Sequence, residues 1–238
     1  MGEHRTWRLF RPNQPGFSRE SPHHEFGLCY LAAVSDDSEI DAALLDRWRG
    51  GEDEAGLRLH DRHGDAVIRF FRNKARDSAE DLVHETFVRL YESRDRIRES
   101  TRFRAYLLGI AHHVFHEHLR ELGRGRKIDP EMESMRALDP GPSTIAARRR
   151  EHRLLLEGLR RLPIEHQVAL ELHYWEGLNA AEIAQIMQVP HSTMRSRLGR
   201  ARELLERVIA ELAESPKLMQ STLEGLDAWA QGVRGQLA

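Results

Sequence analysis

His112, His113 and His116 lie close together in one short stretch. His112 and His116 are four residues apart, a spacing that lets two imidazoles on one helix face share a zinc ion. The sequence carries that chemistry no further. It contains no HExxH string, and neither a cysteine nor an acidic cluster is visible to complete a coordination sphere. The single cysteine, Cys29, excludes an intramolecular disulfide and a CxxC knuckle. Partly protonated histidines close to phosphate, with a charge that follows pH, fit better. The expectation is therefore no metal, no cofactor and no catalytic residue. A second group offers different chemistry. Arg195, Arg197, Arg200 and Arg202 follow His191, Ser192 and Thr193 along one segment, with Ser196 among them. An arginine can bridge guanine O6 and N7, and a hydroxyl can take a base edge or a phosphate. A third group, Asp81, Glu85 and Arg89, recurs at steps of four on a predicted helix face.

The elements that position these groups read as helices throughout. The chain has 238 residues, enough for one large domain or two small ones. Hydrophobic residues at 40% support small cores, while 31% charged residues and a mean hydropathy of -0.60 indicate a surface-rich, soluble protein. Long stretches rich in Leu, Ala, Arg and Glu favour helix, and no strand-type alternation is sustained between turns. The fold class is all-α. No run of about 18 apolar residues is present, so the sequence predicts no membrane insertion. The N-terminus opens on charge and proline without an apolar core, unlike a secretion signal. These features and the lone cysteine suit the cytoplasm.

A net charge of -2 hides a strong segregation. Residues 36–54 carry eight acids against two arginines, whereas residues 94–127 carry nine basic residues against four acids. Residues 145–161 carry six arginines against two glutamates, and residues 191–207 five against two. Local fields of this kind, rather than the total, govern approach to DNA.

Along the chain, residues 1–37 lack periodicity and read as a mobile extension, with an apolar patch at 26–34 able to dock as a helix. Residues 38–127 form a first helical block. Val83, Phe87 and Leu90 make one apolar stripe, and Phe103, Leu107, Ile110 and Val114 a second. Residues 128–147, with three prolines and a glycine, read as a flexible linker. A second block covers 148–209. Residues 210–238 form a C-terminal extension with a short helix after Pro216, anchored by Leu218, Leu223, Leu226 and Trp229. Two small helical domains joined by a linker is the predicted architecture. Within the second block, residues 180–187 and a longer helix from about Ser192 flank a tight turn at 188–190. Ile183, Ala184, Val189, Met194 and Leu198 let the two helices cross closely, and His191, Ser192 or Thr193 can cap the second. This is a helix-turn-helix whose second helix fits the major groove.

At this point the sequence resembles a known family. Residues 159–205 are similar to the C-terminal domain of small RNA polymerase sigma factors of the extracytoplasmic-function group. The matching features are LeuPro at 162–163, GluGlyLeu at 176–178, GluIleAla at 182–184 and ThrMetArgSerArgLeu at 193–198. Residues 79–91 and 103–120 resemble the family's N-terminal domain, in the same order. One departure is Gln188, where the family usually has glycine; a left-handed residue there costs roughly 1–2 kcal/mol. Another is His112 and His113, where relatives commonly carry Arg and Asn.

The resemblance implies a transcription initiation factor that binds core RNA polymerase and promoter DNA, and is not an enzyme. It assigns His191, Ser192, Thr193, Arg195, Ser196, Arg197 and Arg200 to the −35 element. It assigns Arg102, Arg104, Tyr106, His112, His113, His116 and Arg120 to the −10 element, beside a base-capturing loop at 92–104. It assigns Asp81, Glu85 and Arg89 to the polymerase, and an anti-sigma partner is common in the family. Three alternatives stand beside it. A stand-alone helix-turn-helix regulator would not need residues 79–120. An all-helical metalloenzyme would leave the arginine helix unexplained, and a protein-only adaptor would hold polymerase without reading DNA.

Overall fold

The structure, a computed structural model, describes residues 27–97, 102–123, 126–139 and 149–225, with the backbone alone for 27–36. The chain divides into two units, Met1–Asp36 and Asp37–Ala238, and the contacts described below lie in the second. The elements run α1 (Gly27–Arg49), α2 (Asp53–Arg72), α3 (Ala79–Ser93), α4 (Phe103–Leu122), α5 (Met135–Leu138), α6 (Arg150–Arg161), α7 (Ile164–Tyr174), α8 (Ala180–Ile186), α9 (His191–Leu212) and α10 (Pro216–Glu224). Short 3-10 turns at Arg76–Ser78 and Arg94–Arg96 flank α3. Among the described residues there are no strands, only an isolated bridge between Ser134 and Pro163. The all-α reading stands. None of the described helices is long and apolar enough to cross a membrane.

The first half is built on helical periodicity. In α2, Ala55, Leu59, Ala66, Val67 and Phe70 line one buried face, a spacing that repeats every three to four residues. Acidic Asp53 and Glu54 open this helix and basic Arg69 and Arg72 close it, the arrangement its dipole favours. In α4 the predicted stripe Phe103, Leu107, Ile110 and Val114 is buried, joined by Leu108, Ala111, Phe115 and Leu119. Phe70 meets Phe71 and Phe115 edge to face, with centroids 5.1 and 6.1 Å apart. In α3 the fully buried positions are Thr86 and Leu90, while Leu82, Val83 and Phe87 pack against the core partly exposed.

The second half follows the punctuation of its sequence. Pro163 forces Leu162 into extended backbone (φ -70, ψ 155), which ends α6 and starts α7. At Gly158 a Cβ would stand 3.3 Å from both Ile209 and Leu205, so glycine lets α6 and α9 approach closely. Gly177 turns the chain between α7 and α8 with φ 67. The predicted C-terminal helix is present as α10, capped by Ser215, whose side chain accepts from Leu218 N; Leu226 and Trp229 lie outside the described residues.

The two halves pack on one another through α7 and α8, and their buried residues form one continuous cluster. All nine positions Ile164 to Leu172 of α7 are buried, polar ones included. Several of their partners come from the first half. Glu171 accepts from Asn73 Nδ2 at 2.9 Å and from Gln167 at 2.8 Å, and pairs with buried Lys74. Just beyond α7, Glu176 takes Arg69 through two bonds of 2.8 and 3.1 Å and pairs with Arg104. Arg160 donates to the Asn73 carbonyl at 2.7 Å. Burial pushes the Glu176 carboxyl up, but Arg69 and Arg104 outweigh it and hold it below the usual carboxylate range. Buried pairs of this kind contribute modestly to stability but cost about 3–5 kcal/mol when one partner is removed.

The segment read as a flexible linker is packed over its described part. Ile128 and Met135 are buried. The carbonyls of Glu133 and Pro130 accept the first free amides of α7, from Ile164 at 2.9 Å and Glu165 at 3.1 Å, serving donors that a helix start leaves unsatisfied. Over 128–139 the flexible-linker expectation is not confirmed: two apolar anchors, Ile128 and Met135, seven residues apart, were hidden among prolines and charge. Residues 140–148 lie outside the described residues.

Candidate nucleic-acid interface

A capping box fixes the first helix of the helix-turn-helix. The Asn179 side chain accepts from the amides of Ala181 (2.9 Å) and Glu182 (3.1 Å), and Glu182 accepts from Asn179 N at 2.7 Å. Ile183, Ala184 and Ile186 face inward. The chain then reverses through Gln188, which takes the left-handed conformation (φ 54) normally left to glycine. Val189 N donates to the Ala184 carbonyl at 3.0 Å, and α9 begins at His191. The cap residue is Pro190, with no side-chain cap bond. The expectation that His191, Ser192 or Thr193 caps this helix is corrected. His191, Ser192 and Thr193 are the first three helical positions, one to three residues past the cap, so none of them stands where a capping side chain must.

The face of α9 divides sharply. Met194, Leu198, Ala201, Leu205 and Ile209 are buried. His191, Ser192, Thr193, Arg195, Ser196 and Arg200 are exposed, a polar surface on the first turns of a helix of groove-reading dimensions. Arg202 turns back, donating to His173 Nε2 at 2.9 Å and lying 5.6 Å from the Tyr174 ring centroid. Arg197 departs from the expected outward set. Its side chain is 9% exposed, 2.9 Å from Glu165, and paired with Glu131 as well. Its place on the inner edge of α9, facing α7, explains the difference.

The residues assigned to the −10 element lie on or beside α4, but they divide between two environments. Arg102 is exposed at the N-cap and Arg120 near the end, while Tyr106 is half-buried. Arg104 is engaged with Glu176, and His113 lies 2.7 Å from Glu117. His112 and His116 face the second half. Their Nε2 atoms are 3.0 Å apart, and Glu165 Oε1 stands 2.9 Å from His116 and 4.0 Å from His112. Burial, together with neighbouring His116, pushes His112 down to about 3. Burial at this position therefore favours the neutral imidazole. Burial pushes the Glu165 carboxyl up, but the His116 hydrogen bond and the Arg197 charge hold it below its usual range. Part of the 92–104 loop, residues 98–101, lies outside the described residues.

In the third group Asp81 is exposed, whereas Arg89 bridges Glu85 and Glu117 at 2.6 Å each. Glu85 and Arg89 therefore belong to an ion-pair network between α3 and α4. Sequence reasoning missed Glu165, Glu131, Glu171, Glu176, Arg69 and Lys74. A hint was available in α7, where polar residues interrupt an apolar stretch with no solvated face to occupy.

Two helical halves, the second presenting a helix-turn-helix with an exposed polar second helix, define the class: a two-domain helical DNA-binding protein. Comparison with known proteins carries this to a family. Sigma-70 region 2 matches residues 59–125 and Sigma-70, region 4 matches residues 152–205, together half of the chain. The ECF RNA polymerase sigma-E factor of Haemophilus influenzae is 29% identical over 72% of this chain and 96% of its own length. The ECF RNA polymerase sigma factor BldN of Streptomyces coelicolor is 27% identical over 75% of this chain and 69% of its own. Among solved structures, CnrH in complex with the cytosolic domain of CnrY matches with a TM-score of 0.55 at 22% identity, over 73% of this chain and 99% of that one. The chain belongs to the sigma-70 family of RNA polymerase sigma factors, and relatives it resembles carry the extracytoplasmic-function name.

Proposed function

We propose that this protein is a transcription initiation factor that binds core RNA polymerase in the cytoplasm and directs it to promoters by reading their −35 and −10 elements. The observation that carries this reading is the exposed polar face of α9 on a helix-turn-helix, in a chain that matches regions 2 and 4 in that order. The domain at 148–209 reads the −35 element through His191, Ser192, Thr193, Arg195, Ser196 and Arg200, with Arg197 joining once it leaves Glu165. The domain at 38–127 takes the −10 element through Arg102, Arg104, Tyr106, His112, His113, His116 and Arg120, and docks on polymerase through Asp81, Glu85 and Arg89. A flipped base costs a few kcal/mol to extrude, and stacking with arginine–phosphate contacts offsets it. The factor acts by binding alone and makes or breaks no covalent bond. An anti-sigma protein belongs among its partners. The stand-alone regulator reading leaves the region 2 match without a role.

On this reading the observed arrangement is a closed one. Arg197 from the −35 set and His112 and His116 from the −10 set meet at Glu165 and cover each other. The test is selection from a library of promoter fragments with core polymerase and the full chain. Retained fragments should share two short elements at constant spacing. Enrichment of a single element without polymerase would favour the stand-alone regulator.

A further inference from the structure

We propose that His112, His116 and Glu165 form a binding site for a divalent first-row transition ion, zinc in particular, that ties α4 to α7. The sequence offers only the histidine pair; folding supplies the third ligand from 49 residues further along the chain. Zinc holds nitrogen and oxygen ligands at about 2.0–2.1 Å in tetrahedral geometry, which places ligand atoms about 3.3 Å apart. The three separations here are 2.9, 3.0 and 4.0 Å and bracket that value. The two Nε2 atoms and Glu165 Oε1 lie within 4.0 Å of one another, so a cation among them, with both ring nitrogens deprotonated, would replace the hydrogen bonds they now share.

The surroundings favour the same use. Glu165 turns its other oxygen, Oε2, to Arg197 at 2.9 Å, the outer hydrogen bond that orients a ligating carboxylate. Its backbone amide is anchored to the Pro130 carbonyl, so the ligand sits on a fixed helix start. Two nitrogens and one carboxylate oxygen select zinc, nickel, cobalt or copper over magnesium and calcium. Three protein ligands leave a fourth position for water.

The ligands come from different halves of the molecule, so the ion acts as a latch. Given the proposed function, it holds Arg197 and the two histidines away from DNA. At one hundred times its dissociation constant, an ion that binds only the closed form favours that form about a hundredfold.

The experiment titrates chelator-treated full-length protein with zinc chloride by calorimetry, and with cobalt chloride by visible absorption. One zinc per chain should bind, with tetrahedral cobalt bands that zinc displaces. Glu165→Gln and His116→Gln should each weaken binding by about tenfold or more, while His118→Gln on the same helix should not. Two variants on different helices guard against a folding defect in either, checked by circular dichroism. Absence of stoichiometric zinc would overturn the proposal. So would full-strength binding in Glu165→Gln, which would mean a histidine-only site that ties nothing together. Neither readout depends on transcription, so failure of the latch and failure of the sigma-factor reading are distinguishable.

Discussion

Replacing Glu176 by Gln probes the contact that holds the two halves together. Glu176 has 3% of its side chain exposed and takes Arg69, itself 9% exposed, through two bonds, with Arg104 as a second partner. Removing the carboxylate charge leaves Arg69 buried without compensation, a loss of about 3–5 kcal/mol for a pair of this kind. The low end applies. Glutamine keeps one acceptor, and the Arg104 side chain, 36% exposed, can turn to water. Both arginines belong to the first half and Glu176 to the second, so the loss falls on the contact between them and not on either core. About 3 kcal/mol corresponds to roughly two orders of magnitude in the closed-to-open ratio. Urea unfolding should show a lower midpoint, and small-angle scattering a larger radius of gyration in buffer. An unchanged midpoint together with an unchanged radius would refute the reasoning, because the pair would then carry no closing energy.

Four other outcomes follow from the same geometry. Arg195→Ala and Arg200→Ala should each cost about 1–3 kcal/mol at particular promoter positions if they read bases, measured by competition binding; a contact with phosphate alone weakens every sequence alike. Charge reversal at Asp81 and Glu85 should abolish co-purification with core polymerase while the chain stays folded by circular dichroism. Because the Glu176 carboxyl is held below its ordinary value of 4.5, the stability it contributes is complete above that pH and is lost as pH falls through the lowered value. Thermal melts of the Glu176→Gln variant should lack that part of the acid dependence. Gln188→Gly should relieve a left-handed strain of about 1–2 kcal/mol, less glycine's own entropic cost, and raise the melting temperature by a few degrees.

The parts legible in the sequence are those governed by local rules. The apolar stripe of α4, the end of α6 at Pro163, the turn at Gln188 and the buried positions Ile183, Ala184, Met194 and Leu198 all follow from spacing and backbone preference. The contact between the halves does not. Asn73, Lys74 and Arg69 meet Glu171 and Glu176 across about a hundred residues, and a glutamate on a helix looks the same whether solvated or paired. The same limit hid Glu165, so His112 and His116 read as a pair lacking a third ligand. Arg197 was legible as a member of the arginine helix but not as the one facing inward, because its partners Glu131 and Glu165 precede it by 66 and 32 residues. In the 128–147 segment proline and charge masked Ile128 and Met135, whose burial only the packed structure shows.

Promoter-specific initiation is the activity that the exposed face of α9 and the region 2 match together require. The measurement is run-off transcription by purified core RNA polymerase on a promoter selected with this protein, with and without the full chain. Transcripts of one defined length should appear only when the protein is present. They should vanish when the −35 element is scrambled and fall sharply with the Arg195→Ala, Arg200→Ala double variant. Transcripts of equal yield and the same start without the protein, or with the −35 element scrambled, would contradict the account.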